Sequence, residues 1–394
     1  MKKGMALFLA VILCLVAFCP GVRAEGDTLT IHARSAVLMD AASGEIFYSY
    51  REDVRMPIAS VTKIMSLILI FEAVEDGRLQ WDEMWTVSPT AAGMGGSQVY
   101  LEAGDRHSVS ELTKSVIVAS ANDACVALAE AVAGSEEVFV QRMNEKAESL
   151  GAVNTHFANC TGLPATDAGS CAADVALFSR ELMRHEKYFE FSSVWMDQVE
   201  HSGGRVTQIS NTNKLLRSYA GADGVKTGFT NEAMFCVSAT AKREDTRMIA
   251  VILGGASSKE RFSEASMLLD YGFAHYETCV LAHKGDTVAQ ALEVTASPVA
   301  SVPVLLGEDL TLTVEKGKGS QLRVEYDLPE RVAAPIEAEQ LLGVAKVYLG
   351  EDLLREAPLT AGAFAPKSGF WDRYRALWQA WVPQTCKTEA NPLY

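Results

Sequence analysis

The sequence predicts an α+β domain built on an antiparallel sheet with helices, followed by a small all-β domain and a C-terminal amphipathic helix. Three observations carry that prediction: strand pairs at both ends of a helix-rich region, short apolar stretches separated by Gly, Pro and charge beyond residue 277, and one aromatic helical face near the end of the chain. With 394 residues, 48% of them hydrophobic and 22% charged, the chain can bury a large core, and disorder is excluded as its main state. Thirty-five Lys+Arg against 50 Asp+Glu give a formal charge of -15, which repels phosphate backbones and argues against nucleic acid as a partner.

Residues 1–24 read as a secretory signal peptide. Lys2 and Lys3 precede an apolar run from Met5 to Phe18, then come a Pro20-Gly21 break and small residues at Val22 and Ala24. A retained membrane anchor is the alternative, but the run is shorter than the ~20 apolar residues a span needs. Phe18 stands where lipoprotein processing at Cys19 wants a small residue. Cleavage leaves 32 basic against 50 acidic residues, a net of -18, in a protein expected outside the cytoplasm. Six cysteines remain, at 125, 160, 171, 236, 279 and 386, with no CxxC pair. Cys125 and Cys236 lie in apolar segments, whereas Cys160 and Cys171 flank one polar loop and are the expected disulfide.

The domain spanning residues 25–277 opens with a hairpin, Ser35–Asp40 and Glu45–Tyr50 around Ala-Ala-Ser-Gly. A helix from about Ala59 follows, and its run IMSLILIFEAV is apolar almost all round, the mark of a helix buried inside a domain. Further helices are expected at Val109–Val118, Asn122–Ala133, Glu136–Leu150 and Ala172–His185. Ala233–Ala241 and Arg247–Leu253 form a second hairpin around Lys242-Arg243-Glu244-Asp245, and Ala256–Tyr276 closes the domain as a helix. Residues 278–363 contain SVPVLLG, LTLTVEKG, QLRVEYDLP and LLGVAKVYLG, the texture of short strands. In residues 364–394, Phe370, Trp371, Tyr374, Leu377, Trp378 and Trp381 fall on one helical face, and aromatic-rich faces suit a membrane surface. Packing of that helix on the β domain is the alternative.

Three short patterns carry chemistry. Ser60-Val61-Thr62-Lys63 stacks a hydroxyl and an amine one helical turn apart, so Lys63 can take the Ser60 proton if burial or a second cation lowers its pKa from about 10.4. Ser120-Ala121-Asn122 lies between an apolar run and a helix start, where the side chains point into a cleft or act as an N-cap. Lys226-Thr227-Gly228 enters a strand, offering a charge, a hydroxyl donor and a glycine that admits a close backbone; the bland reading is a strand entry with a solvated lysine. Each pattern alone is weak.

Together, in this order and behind a signal peptide, they are the motif set of penicillin-interacting serine enzymes. The chain resembles, nearly end to end, the low-molecular-mass penicillin-binding proteins that act as serine-type D-alanyl-D-alanine carboxypeptidases. LMDAASGEI, GMGGSQVYLEAGD, NTNKLL, GADGVKTGFTNEA, PIEAEQLLGVAKVYLGE and the aromatic helix support the likeness. It implies the penicillin-binding transpeptidase/β-lactamase-like fold and hydrolysis of the terminal D-alanine of peptidoglycan stem pentapeptides, without a cofactor. Ser60 would attack the carbonyl, Lys63 accept its proton, and Ser120, alone or with Lys226, pass a proton to the departing D-alanine. Asn122 would hold the substrate amide, Thr227 with Lys226 the carboxylate, and the N–H groups of Ser60 and Phe229, beside Gly228, the oxyanion. β-Lactams would acylate Ser60, and the terminal helix would rest on the outer face of the cytoplasmic membrane. Departures are Phe229 and Thr212, where some relatives carry His and Arg, and the absence of His from DAGSCAADVA.

A class A β-lactamase shares the motifs, but no ExxLN-like stretch lies between Asn122 and Lys226. A D,D-endopeptidase is not separable by motif. A non-catalytic wall-binding protein would be expected to lose Ser60 or Lys63, and both are present. The seven histidines show no HxxxH or HxH spacing, so metal-dependent hydrolysis is not expected. Gly93-Met94-Gly95-Gly96 lacks the Gly-Lys-Ser/Thr of a phosphate loop and reads as a flexible loop near the cleft.

Overall fold

The computed structural model describes residues 29–288 and 291–381; the expected signal peptide and Cys386 lie outside them. A five-stranded antiparallel sheet organises the first domain in the order β2-β1-β9-β8-β7, where β1 is Ser35–Asp40, β2 Ile46–Tyr50, β7 Ala222–Thr230, β8 Met234–Arg243 and β9 Thr246–Gly255. Every residue of β1 is buried, and so is all of β9 except Arg247, which fits strands at the middle of a sheet covered on both faces. Two small two-stranded sheets lie outside this sheet: β3 (Met84–Thr86) with β4 (Arg106–Ser108), and the hairpin of β5 (Met196–Glu200) with β6 (Val206–Ser210).

The helices are α1 (Lys63–Glu75), α2 (Val109–Val118), α3 (Asn122–Ala133), α4 (Glu136–Ser149), α5 (Ala172–Leu182), α6 (Ser258–His275) and α7 (Phe370–Trp381), with shorter turns between them. Ten of the 13 residues of α1 are buried, as an all-round apolar sequence requires. Ser108, Ser135 and Ser257 cap α2, α4 and α6 by accepting the N–H three residues on. Ser179 of α5 hydrogen-bonds Ser238 of β8, while α6 lies on the sheet with Gly272 against Leu38 and Met248.

Strand β10 (Tyr276–Ala282) follows α6 without a break and pairs with β14 (Leu310–Glu315), so the expected boundary at 277 falls inside a strand. The remaining strands of the second domain are β11 (Leu292–Thr295), β12 (Ser301–Val302), β13 (Val304–Leu306), β15 (Leu322–Asp327), β16 (Arg331–Ala333), β17 (Leu341–Leu349) and β18 (Asp352–Ala361). They form sheets β12-β11-β16 and β13-β18-β17-β15 around a separate core that includes Val302, Val304, Val347 and Leu359. On α7, Phe370, Trp371, Tyr374, Leu377 and Trp378 are all exposed, so those side chains are not packed on the β domain.

One expectation is overturned. Cys160 and Cys171 are both free and buried. Cys171 takes the N-cap position of α5, while Cys160 turns toward α3, where its carbonyl accepts from the Cys125 thiol at 3.3 Å.

Candidate active site

Ser60 sits in a 3-10 turn, Ala59–Thr62, that runs directly into α1 and makes Lys63 its first α-helical residue. Ala59 holds φ +49, a left-handed conformation costly for a residue with a Cβ, and Ser120 across the site holds φ +60. Both strained positions flank reactive groups. The Lys63 side chain is fully buried, and burial lowers its pKa. Its Nζ lies 2.6 Å from Asn122 Oδ1, 2.6 Å from the Thr161 carbonyl and 3.0 Å from Ser60 Oγ. The two carbonyl oxygens can only accept. A neutral amine therefore gives its two hydrogens to them and turns its lone pair toward the Ser60 hydroxyl.

Ser120 is buried, and its Oγ has no hydrogen-bond partner among the described residues, leaving the hydroxyl free to handle a proton. It does not cap α3: the N-cap position is Ala121, with no side-chain bond. The Asn122 side chain is engaged at both ends, since Nδ2 donates to the Gly95 carbonyl at 2.7 Å while Oδ1 accepts from Lys63. The glycine cluster is thus at the site, held there by Asn122.

Lys226 and Thr227 lie on β7, both buried. Burial, and then the nearby Lys63, hold the Lys226 amine well below the ordinary lysine range. Thr227 Oγ1 donates to Thr212 Oγ1 at 2.8 Å, so Thr212 touches the hydroxyl assigned to carboxylate binding. A Cβ at Gly228 would come 2.7 Å from the Ile58 carbonyl and 3.0 Å from Ser60 N, so only glycine lets β7 close on the Ser60 turn. The Phe229 ring is exposed and packs on Phe235. Strand β7 is pinned from behind: Asn213 Nδ2 donates to the Gly224 carbonyl, Tyr188 Oη to the Val225 carbonyl, and Arg261 Nη1 to the carbonyls of Gly228 and Cys236.

The structure therefore brings Ser60, Lys63 and Asn122 into direct contact, closes the Lys226–Phe229 strand on the Ser60 turn, and leaves the Ser120 hydroxyl uncommitted. Three contributors escape motif reading. Thr161 acts through its carbonyl. Gly162, at φ +79, lets that loop pass under Ala59, where a Cβ would lie 1.9 Å from the Ala59 oxygen. Asn159 Oδ1 ties the loop by accepting from the N–H groups of Thr161 and Gly162. The Asn-Cys-Thr-Gly turn was the available signal, because an Asx side chain followed by glycine is a turn-former. A groove lined by Pro57, Ala59, Gly162, Leu163, Thr230 and Glu232 opens beside the Ser60 turn.

Comparison with known proteins agrees with this geometry. Residues 22–257 match the D-alanyl-D-alanine carboxypeptidase family model, and residues 276–367 match that of the penicillin-binding protein 5 C-terminal domain. The D-alanyl-D-alanine carboxypeptidase DacF of Bacillus subtilis is 36% identical over 94% of this chain and 96% of its own. Penicillin-binding protein 5 of Haemophilus influenzae superposes with a TM-score of 0.73 at 29% identity, over 86% of this chain and 98% of that one. Penicillin-binding protein D2 of Listeria monocytogenes, solved in its ampicillin-bound form, superposes with a TM-score of 0.55 at 32% identity, over 62% of this chain and 99% of that one. With three motifs meeting in one buried site and both domains matched, the chain belongs to the D-alanyl-D-alanine carboxypeptidase family of serine peptidases.

Proposed function

We propose that the protein removes the terminal D-alanine from peptidoglycan stem pentapeptides through an acyl-enzyme on Ser60. The observation that carries this reading is the 3.0 Å approach of Lys63 Nζ to Ser60 Oγ, with the other two directions of the amine filled by carbonyl acceptors. Lys63 takes the Ser60 proton as Oγ adds to the carbonyl between the last two residues. The oxyanion draws hydrogen bonds from the N–H groups of Ser60 and Phe229. As the C–N bond breaks, Ser120 passes a proton to the leaving amine, replenished from the lysines, and D-alanine departs. Water then cleaves the ester and restores Ser60. A β-lactam enters by the same attack but keeps its leaving group tethered, which slows the last step. The uncommitted Ser120 hydroxyl supports its relay role, and the Thr227–Thr212 pair supports a carboxylate site built from hydroxyls beside Lys226.

The mature protein works outside the cytoplasm after loss of residues 1–24, resting on the membrane surface through α7. Among the described residues no helix is long and apolar enough to cross a membrane. The exposed Phe370, Trp371, Leu377 and Trp378 suit an interfacial position instead.

Incubation with a stem pentapeptide tests the reading: D-alanine release is expected, absent in Ser60→Ala. Cleavage of a cross-linked dimer without release from the monomer would assign a D,D-endopeptidase instead. Removing the residues after Ala365 is expected to leave D-alanine release intact and free the protein from membranes; unchanged membrane association would overturn the anchoring role.

A further inference from the structure

Outside the serine site, three side chains from two distant segments converge: Asp105 and His107 from one, and His201 from the other, its ring set edge-on to that of His107 while neighbouring Ser202 hydrogen-bonds Asp105. Asp105, His107 and His201 each place a ligand atom within 4.8 Å of the others, and the residues are only 7%, 2% and 6% exposed. Asp105 Oδ2, His107 Nε2 and His201 Nδ1 are buried and have no hydrogen-bond partner among the described residues. The remaining ring nitrogens are engaged. His107 Nδ1 lies 2.9 Å from Glu111 Oε2, and His201 Nε2 lies 2.9 Å from Thr207 Oγ1. A carboxylate only accepts, so the Glu111 contact puts the proton on Nδ1 and leaves a lone pair on His107 Nε2. The Thr207 hydroxyl can either donate or accept, and when it accepts from His201 Nε2–H a lone pair is left on Nδ1. Three electron-pair donors thus face one another, close yet not bonded to each other, and an electron-poor centre between them removes the repulsion.

We propose that Asp105, His107 and His201 form a binding site for a divalent transition-metal cation of the zinc type, with a structural role. Two imidazoles and one carboxylate match the donor set that zinc accepts at about 2.0–2.2 Å, with water as the fourth ligand. Tetrahedral ligand atoms at that radius lie about 3.4 Å apart, so the three atoms, within 4.8 Å of one another, would draw together around the cation. A ligand histidine whose second nitrogen donates to a carboxylate is the usual outer support of such sites, and Glu111 provides it.

The location gives the cation something to do. Asp105 and His107 end the segment that carries Gly95 and Ser97, whose carbonyls bond Asn122 at the serine site. His201 closes the β5–β6 hairpin, its N–H donating to the Arg205 carbonyl. The hairpin meets that segment through Arg205, which donates to the Tyr100 carbonyl and pairs with Glu102, through Ser202 on Asp105, and through the edge contact of the His201 and His107 rings. A cation would add a further and stiffer clasp between the same two pieces.

The test is equilibrium dialysis of the purified protein, free of any histidine tag, against Zn2+, with metal content read by mass spectrometry. One equivalent is expected, with the same stoichiometry in His283→Ala, which removes an exposed histidine of the β domain. His107→Gln and His201→Gln are expected to lose it. If either fails to fold, Thr207→Val serves, because removing the outer partner weakens affinity about 10–100-fold while leaving the three ligands in place. Co2+ in place of Zn2+ is expected to give visible absorption bands in the parent protein and not in the variants. Substoichiometric zinc in the parent, an equivalent retained at unchanged affinity in every variant, or crystals grown with Zn2+ showing only a water between the three side chains would each overturn the proposal.

Discussion

Lys63 reaches Ser60 from below: Nζ stands 3.0 Å from the serine Oγ while Asn122 Oδ1 and the Thr161 carbonyl each hold it at 2.6 Å. Those two contacts do what a longer hydrogen-bond list would not, because both are acceptors that use up the hydrogens of a neutral amine. Direction as well as proximity is therefore fixed. The energetic requirement is met by burial, which disfavours the ammonium form.

Gly162→Ala is expected to damage acylation without touching any motif residue. The added Cβ would meet the Ala59 oxygen at 1.9 Å and Thr62 Oγ1 at 2.8 Å, at a φ of +79 that alanine resists. The loop must move, and the Thr161 carbonyl moves with it. A misplacement of about 1 Å can cost roughly 100-fold. Stopped-flow acylation by a chromogenic β-lactam reads the loss; a rate within about twofold of the parent would show that the Thr161 contact is dispensable.

Arg261→Met should destabilise the fold and loosen β7. Arg261 Nη1 donates to the Gly228 and Cys236 carbonyls, both at 3.0 Å, from a buried position on α6. Methionine keeps the bulk and leaves both acceptors unpaired, at about 1–3 kcal/mol each. Urea unfolding is the check, with a clear fall in midpoint at unchanged slope as the expected outcome. An unchanged midpoint would mean that water replaces the guanidinium at no cost.

The thiols provide a covalent check on the fold. Cys160 and Cys171 are separate free thiols here, and burial raises the Cys171 pKa to about 11, which suppresses its thiolate at neutral pH. Alkylation under denaturing, non-reducing conditions followed by peptide mapping is expected to find both residues alkylated. A peptide cross-linked through 160 and 171 would contradict the arrangement.

How much of this was legible in the sequence depended on the kind of signal. The buried helix α1, the capped helices α2 and α4, and the β8–β9 hairpin are long and periodic, so their patterns are local and readable. Ser60 and Lys63 could be paired because one helical turn sets their distance. The short strand pairs β3–β4 and β5–β6 were missed because strands of three to five residues give no sustained alternation, and β4 lies about 20 residues beyond its partner β3. Thr161 was invisible for a different reason: it contributes a carbonyl that any residue would supply. Cys160 and Cys171 misled because closeness along a loop does not constrain which way two side chains turn. His107 and His201 meet only through the tertiary fold, so no search for closely spaced histidines could join them.

The pH dependence of Ser60 acylation, followed with a labelled β-lactam and assigned by peptide mapping, tests the central claim most directly. Below the lowered Lys63 pKa the amine is protonated and cannot accept the serine proton; above it the base is free. The rate is therefore expected to rise with pH through an ionisation below the ~10.4 of an unburied lysine. That ionisation should vanish in Lys63→Ala, whose residual rate should be lower by about 100-fold or more. A label on any residue other than Ser60, or the same pH profile persisting in Lys63→Ala, would contradict the account.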